Sequence, residues 1–304
     1  MSMTKNVVMA ACVVFATMTA SVVQAESLSA EEIAQRYEEE VRRLQSMLTT
    51  KFRLSTCRYT VENAQMRCAD RPRVREVENV AKAYGRDIRS LAVISEPISD
   101  RGISMLGYQY WDPNRINDNW LYLPALNRVR RVVATRDSRD SGSYFGTEFF
   151  IEDLEDPRLE DYTYRLLDDE TVRVQEDGKE PVDVPAYVVE WTPTAQRAKT
   201  TNYGKSVIWV DKERFILLKG EYYDVNGNLF KRRTVRNLQL LNGSFWIPRQ
   251  VTMDNLDNRR VTVMERLAIV IGHDIEDEYL TQRSLTDVPF RERYLREIRQ
   301  IWDR

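Results

Sequence analysis

The sequence predicts a mainly β protein of the α+β class, with one antiparallel sheet that curls on itself and a helix near each end. Three observations carry this. About a dozen short segments between residues 74 and 271 alternate apolar and polar residues or run as β-branched stretches. Turn pairs separate them: Asp177-Gly178, Asn226-Gly227, Asn242-Gly243 and the weaker Asp257-Asn258. Two other segments, one after Ser29 and one before the C-terminus, repeat their apolar residues at helical spacing.

Strands are expected at 74–84, 88–94, 103–111, 120–123, 128–133, 162–167, 171–175, 184–191, 207–210, 215–223, 229–240, 244–253 and 260–271. Their short connections make each strand pair with the next, which gives a meander and not βαβ units. So many strands curl or close, because a free edge invites aggregation. Ser29-Ala30-Glu31-Glu32 reads as a capping box. Ile33, Tyr37, Val41, Leu44 and Leu48 then form one stripe of a helix of about five turns. That stripe suits packing on the core or covering the mouth of the sheet. Phe290, Tyr294, Leu295, Ile298, Ile301 and Trp302 predict the C-terminal helix. The middle differs: 136–143 is polar and loop-like, and 144–154 mixes aromatics and acids as a short helix or ordered loop would. With no internal repeat or low-complexity linker, 26–304 reads as one domain.

The first 25 residues read as a cleavable secretory signal. Lys5 precedes an apolar run, Val23-Gln24-Ala25 suits cleavage after Ala25, and Glu26 opens a polar region. A membrane anchor needs about 20 strongly apolar residues, and Thr17, Thr19, Ser21 and Gln24 dilute this run. Lipidation at Cys12 fits less well, because the apolar run continues past it. Cleavage takes the formal charge from −2 to −3 by removing Lys5. Charges of both signs are mixed, with no basic stripe for nucleic acid. Export puts the two remaining cysteines, Cys57 and Cys68, where an even pair forms a disulfide. A bridge across a hairpin centred near Glu62-Asn63 fits their spacing, whereas a redox pair would show C-x-x-C.

Enzyme chemistry finds little support. His273 is the only histidine, and a lone histidine near a strand end is more often structural than a general base. There is no G-x-S-x-G elbow, phosphate loop or dinucleotide fingerprint, and no cofactor or metal set is apparent. The acidic run through 152–161 lacks calcium-loop spacing and reads as a solvated face. This pattern favours a binding role.

At 119–131, NWLYLPALNRVRR resembles the pattern W-x-Y-L-P-x-x-x-R-V-R-R of the LolA-like, outer membrane lipoprotein-sorting family. The stretch FGTEFFIEDL at 145–154 resembles its second motif, with Glu148 where an aspartate is usual. Trp209-Val210-Asp211-Lys212, Tyr223-Asp224 with Gly227 and Lys231, and Trp246-Ile247-Pro248 with Met253 and Asn255 continue the likeness. It runs over about 74–285, and the cysteine hairpin is not part of it.

The resemblance implies an unclosed antiparallel β-barrel with covering helices. It also implies a periplasmic protein that carries lipid or lipoprotein acyl chains without doing chemistry. The implied partner is an inner-membrane exporter of the resistance-nodulation-division or MmpL type, and peripheral membrane contact is compatible with that. Trp120 and Tyr122, sharing a strand face, are then expected in the cavity, with Phe145, Phe149 and Phe150 as a movable lid. Arg128, Arg130 and Arg131 would meet a headgroup or a partner's acidic patch. The alternatives are plain core packing for the aromatics and a solvated sheet face for the arginines. For the whole protein, they are a regulatory module of envelope-stress signalling or an envelope-lipid hydrolase.

Overall fold

The structure, a computed structural model, describes residues 28–45, 47–63, 65–132 and 142–303. The expected signal at 1–25 and most of the polar loop at 136–143 lie outside the described residues. The strands are β1 (Met47–Glu62), β2 (Gln65–Cys68), β3 (Arg73–Tyr84), β4 (Asp87–Glu96), β5 (Ser104–Gln109), β6 (Asp118–Leu123), β7 (Arg128–Val132) and β8 (Tyr162–Leu166). They continue as β9 (Glu170–Val174), β10 (Val182–Pro193), β11 (Lys205–Asp211), β12 (Leu217–Tyr223), β13 (Leu229–Leu241), β14 (Phe245–Asn255) and β15 (Arg260–Ile271). The helices are α1 (Ala30–Gln45), α2 (Arg283–Thr286) and α3 (Val288–Trp302).

All ladders between these strands are antiparallel. The order is β7-β6-β5-β4-β3-β1-β15-β14-β13-β12-β11-β10-β8, with β2 on β1 and β9 on β10. The end strands β7 and β8 do not pair with each other, so the sheet stays open. It nevertheless wraps, because one apolar cluster takes Met105 from β5 and Val189 from β10. The turn at Asn242-Gly243 has φ of 51° and 68°, the left-handed pair that a tight hairpin requires.

The sequence reading missed β1. It ran the first helix to Leu48 and placed only a cysteine hairpin after it. Instead β1 lies inside the sheet, paired along one side with β3 and along the other with β15. Leu48 fits both the helical stripe and the strand alternation of Phe52 and Leu54, and pairing on two edges decides between them. The disulfide is present as expected: Cys57 and Cys68 are bonded, with Cα atoms 5.7 Å apart. They staple the hairpin of β1 and β2, whose β2 residues are all exposed.

The two faces of the sheet are covered differently. On the inner face, Phe52, Leu54, Val77, Ala92 and Met105 pack with Ile33 and Ala34 of α1 and with Tyr144, Phe149 and Ile151. On the outer face, Val80, Leu91, Val93, Leu106 and Tyr122 pack with Leu285 and with Phe290, Tyr294, Leu295 and Ile298 of α3. Burying each such side chain contributes about 1.5–3 kcal/mol. Asp287 caps α3 by accepting from the Phe290 amide at 3.1 Å. At α1 the capping box forms as read: Ser29 N donates to Glu32 at 2.8 Å, and Glu32 N to Ser29 Oγ at 3.2 Å.

Candidate functional site

Register brings small side chains together on the inner face. Leu48, Ala81, Ser90, Gly107 and Asn119 stand opposite one another across β1, β3, β4, β5 and β6. Thr50, Asn79, Ala92, Met105 and Leu121 form the next row. Gly107 is pinned between its neighbours: a Cβ there would lie 3.0 Å from Asn119 Oδ1 and 3.1 Å from Ser90 Oγ. Side chains this short leave a trough beneath α1. It is a cavity of about 170 Å³, lined also by Leu44, Tyr144, Ile151, Leu154 and Met264. A second space of about 100 Å³ shares Gln109 and Glu155 with it and is walled by Tyr37, Trp191, Tyr203 and Tyr222.

Two pieces cover these spaces. The first is α1, whose Ile33 and Tyr37 face inward, Tyr37 standing edge-on to Trp191 at 5.9 Å. Its cations reach rings on several elements: Arg36 over Phe215 at 5.0 Å, Arg42 over Trp111 at 4.7 Å and Arg43 over Phe245 at 4.7 Å. Each such contact is worth about 0.5–1 kcal/mol at an exposed site, and they add to the burial of Ile33 and Ala34 on the helix's inward face. The second is the segment around 142–155. Polar anchors hold it firmly. Glu148 meets Arg260 at 2.9 Å and Asn255 at 2.8 Å. Glu152 meets Arg197 at 2.7 Å and Asn202 at 2.7 Å. Asp153 accepts from Tyr203 at 2.6 Å and from the Phe150 amide at 2.7 Å. Arg75 donates to the Phe145 carbonyl at 2.7 Å.

Two arginines stand on the floor. Arg266 lines the larger space and Arg233 the smaller. Among the described residues, neither has a carboxylate within 4 Å. Burial, and after it the nearby Arg233, push the Arg266 guanidinium down to about 10. Burial likewise pushes the carboxyls of Asp153 and Glu155 above their usual range.

The residues singled out from the sequence divide. Trp120 and Tyr122 do share a face, but it is the outer one: Trp120 packs edge-on to Tyr108 at 5.0 Å, and Tyr122 belongs to the cluster under α3. Phe145, Phe149 and Phe150 lie in the segment that covers the trough, yet Phe149 is 0% exposed and Phe150 lies under the Lys231 ammonium at 3.0 Å. The segment lines the trough with Tyr144, Ile151, Leu154 and Glu155, while Phe150 borders a separate space of about 420 Å³ with Phe230 and Lys231. Arg128 and Arg130 are exposed on the edge strand β7, opposite Leu123 and Leu121. That puts Arg130 on the cavity side, since Leu121 packs with the inner core. Arg131 stands opposite Trp120 and pairs with Asp118.

The acidic run is not a solvated face. Glu152, Asp153 and Asp161 are engaged by Arg197, Tyr203 and Arg158. Sequence reasoning missed Arg233, Arg266 and the small-residue trough. Arg266 shares its strand phase with Met264, and that phase was the available signal. Among the described residues, no cluster of three metal-ligating side chains occurs, and no helix is long and apolar enough to cross a membrane.

A family model described only as that of an uncharacterized protein matches residues 86–287. An outer membrane lipoprotein-sorting protein domain from Vibrio parahaemolyticus is 25% identical, with a TM-score of 0.71 over 84% of this chain and 98% of that one. The chain belongs to the family of that model, and it is similar in fold to the lipoprotein-sorting domain. A DUF1329 family protein from Desulfovibrio piger shares the fold at 23% identity and a TM-score of 0.70, over 84% of this chain and 97% of that one. A LolA superfamily protein from Nitrosomonas europaea does so at 20% and 0.61, over 84% and 99%. No curated protein matches in sequence. The open antiparallel sheet with its covering helices is thus the LolA-like fold, and the resemblance read at 119–131 and 145–154 pointed to the group of proteins that share it.

Proposed function

We propose that this LolA-like chain is a periplasmic carrier that holds an acyl chain of a lipid or lipoprotein in the trough beneath α1 and performs no chemistry. The trough of small residues supports this most. Packed cores leave few voids, whereas here Ala81, Ser90, Ala92 and Gly107 border open space from three adjacent strands. An acyl chain gains about 0.8 kcal/mol per buried methylene, so crossing water favours a dry groove. The space of about 170 Å³ falls below the ~300 Å³ at which sites for small organic ligands begin. On this reading the described state is a closed one, and α1, which roofs the trough, is the piece that moves outward. Arg266 and Arg233 then meet an anionic headgroup, and Arg128 and Arg130 meet it at the rim. An exporter of the resistance-nodulation-division or MmpL type as partner rests on the family resemblance alone.

A fluorescent fatty-acid probe tests the reading. Ser90→Leu fills the trough from an open position, so it should weaken probe binding at least tenfold while thermal stability is kept or raised. Unchanged affinity would move the chain out of the trough.

A further inference from the structure

The outer face holds a larger space than the inner one. A groove of about 970 Å³ runs between α3 and the strands beneath it, at the upper end of the ~300–1,000 Å³ typical of ligand sites. Val93, Leu267, Ile98, Val288 and Trp302 give it apolar walls. Ile98, at its rim, is 77% exposed.

Most charges along the groove pair with one another. Lys51 meets Glu76, Arg101 meets Glu96, and Arg299 meets both Glu78 and Glu292. Arg291 is different. It is 2% exposed, yet among the described residues no carboxylate lies within 4 Å of it. Its Nη1 donates to the carbonyls of Ser284 and Leu285, each at 3.1 Å. Its Nε is buried with no partner. Its Nη2 faces the groove beside Gly102, where a Cβ would stand 3.5 Å away. The buried hydroxyls of Tyr279 and Ser284, on the segments that pack with α3, also lack partners.

Buried polar groups in native proteins are almost always satisfied, by protein, water or ligand. Nε and Nη2 form the side of a guanidinium that takes a carboxylate or phosphate through two parallel hydrogen bonds. Here Nη1 is tied to backbone and that fork is left empty, at the foot of apolar walls. We infer that the outer groove binds a single-chain amphiphile, its carboxylate or phosphate held by Nε and Nη2 of Arg291 and its chain lying along Leu267, Ile98 and Trp302. This site is separate from the trough beneath α1 and does not depend on it.

The test titrates the full chain with 11-bromoundecanoate, whose bromine quenches a tryptophan on contact. Saturable quenching is expected, with the share due to Trp302 removed by Trp302→Phe. Arg291→Met and Arg291→Lys should each weaken binding about tenfold or more, the worth of a charge-assisted pair of hydrogen bonds. Lysine keeps the charge and loses the fork. Ile98→Asp, at an exposed position that leaves the fold intact, should weaken it similarly. Inorganic phosphate in tenfold excess should not displace the acid. Displacement by phosphate would make this a free-anion site and overturn the amphiphile. Unchanged affinity in both Arg291→Lys and Ile98→Asp would overturn the site itself. Quenching that survives Trp302→Phe in full would overturn it too by placing the acid elsewhere, and would leave the reading of the inner trough standing.

Discussion

Lys231 carries a charge inside the inner-face core, and its removal has a calculable effect. The side chain is 1% exposed. Its Nζ donates to the Glu148 carbonyl at 2.7 Å and stands 3.0 Å from the centre of the Phe150 ring. Among the described residues, no carboxylate lies within 4 Å. Burial pushes its ammonium from the ordinary 10.5 down to about 8. Below pH 8 both the folded and the unfolded chain hold this proton, so the folded chain bears the full cost of the charge. At 1.36 kcal/mol per pH unit that cost is roughly 3 kcal/mol.

Above pH 8 the folded chain releases the proton, while the unfolded chain keeps it until about pH 10.5. The unfolded state then binds more protons, and stability rises with pH. Between pH 8 and 9.5 the share due to Lys231 is a rise of roughly 2 kcal/mol. Tyrosines act in the opposite direction as pH approaches and passes 10, because groups such as Tyr59 and Tyr84 are held up to about 12 in the folded chain, chiefly by burial, and unfolded tyrosines ionise first. Urea unfolding at pH 7, 8 and 9.5 measures this directly. Lys231→Met loses one hydrogen bond and the charge, so it should gain about 1–3 kcal/mol at pH 7, and its advantage over the wild type should shrink by roughly 2 kcal/mol from pH 8 to 9.5. A variant that keeps the wild-type slope, or that loses 2 kcal/mol or more at pH 7, refutes the reasoning.

Three further outcomes follow from other elements. Glu78 is buried and takes Arg299 at 2.8 and 2.7 Å; Arg299→Met strands that carboxylate and should cost about 2–3 kcal/mol in urea unfolding, less than a fully buried pair because Arg299 is part-exposed. Replacing Cys57 and Cys68 together by alanine opens a short loop and should cost on the order of 2–3 kcal/mol, with faster hydrogen exchange in β1 and β2 near the hairpin tip. Ile33→Ala removes a fully buried anchor of α1; it should cost about 2–4 kcal/mol and speed uptake of an acyl probe in stopped flow, and uptake at the wild-type rate would mean that α1 is not the gate.

Much of the sheet was readable because its cues are local. The strand expected at 229–240 forms as Leu229–Leu241, and that at 260–271 forms as Arg260–Ile271. The capping box at Ser29 and the turn at Asn242-Gly243 act within four residues. What was missed is long-range. Alternation placed Trp120 and Tyr122 on one face, but it cannot say which face, because helices cover both. The trough draws Ala81, Ser90, Gly107 and Asn119 from four strands, and only register makes them neighbours. The acids at 152–161 look solvated until Arg197 and Tyr203 arrive from some 45 to 50 residues away. Three phenylalanines in a row of motif residues suggested a lid. Their neighbours Glu148, Glu152 and Asp153 rivet that segment in place, so the proposed gate is α1.

The central claim is that the trough beneath α1 carries an acyl chain. Organic extraction of the protein, taken gently from its own envelope, followed by mass spectrometry tests it most directly. The account predicts lipid in roughly stoichiometric amount from the wild type and at least tenfold less from Ser90→Leu. Wild-type protein that arrives empty, or a Ser90→Leu variant that arrives equally loaded, would contradict it.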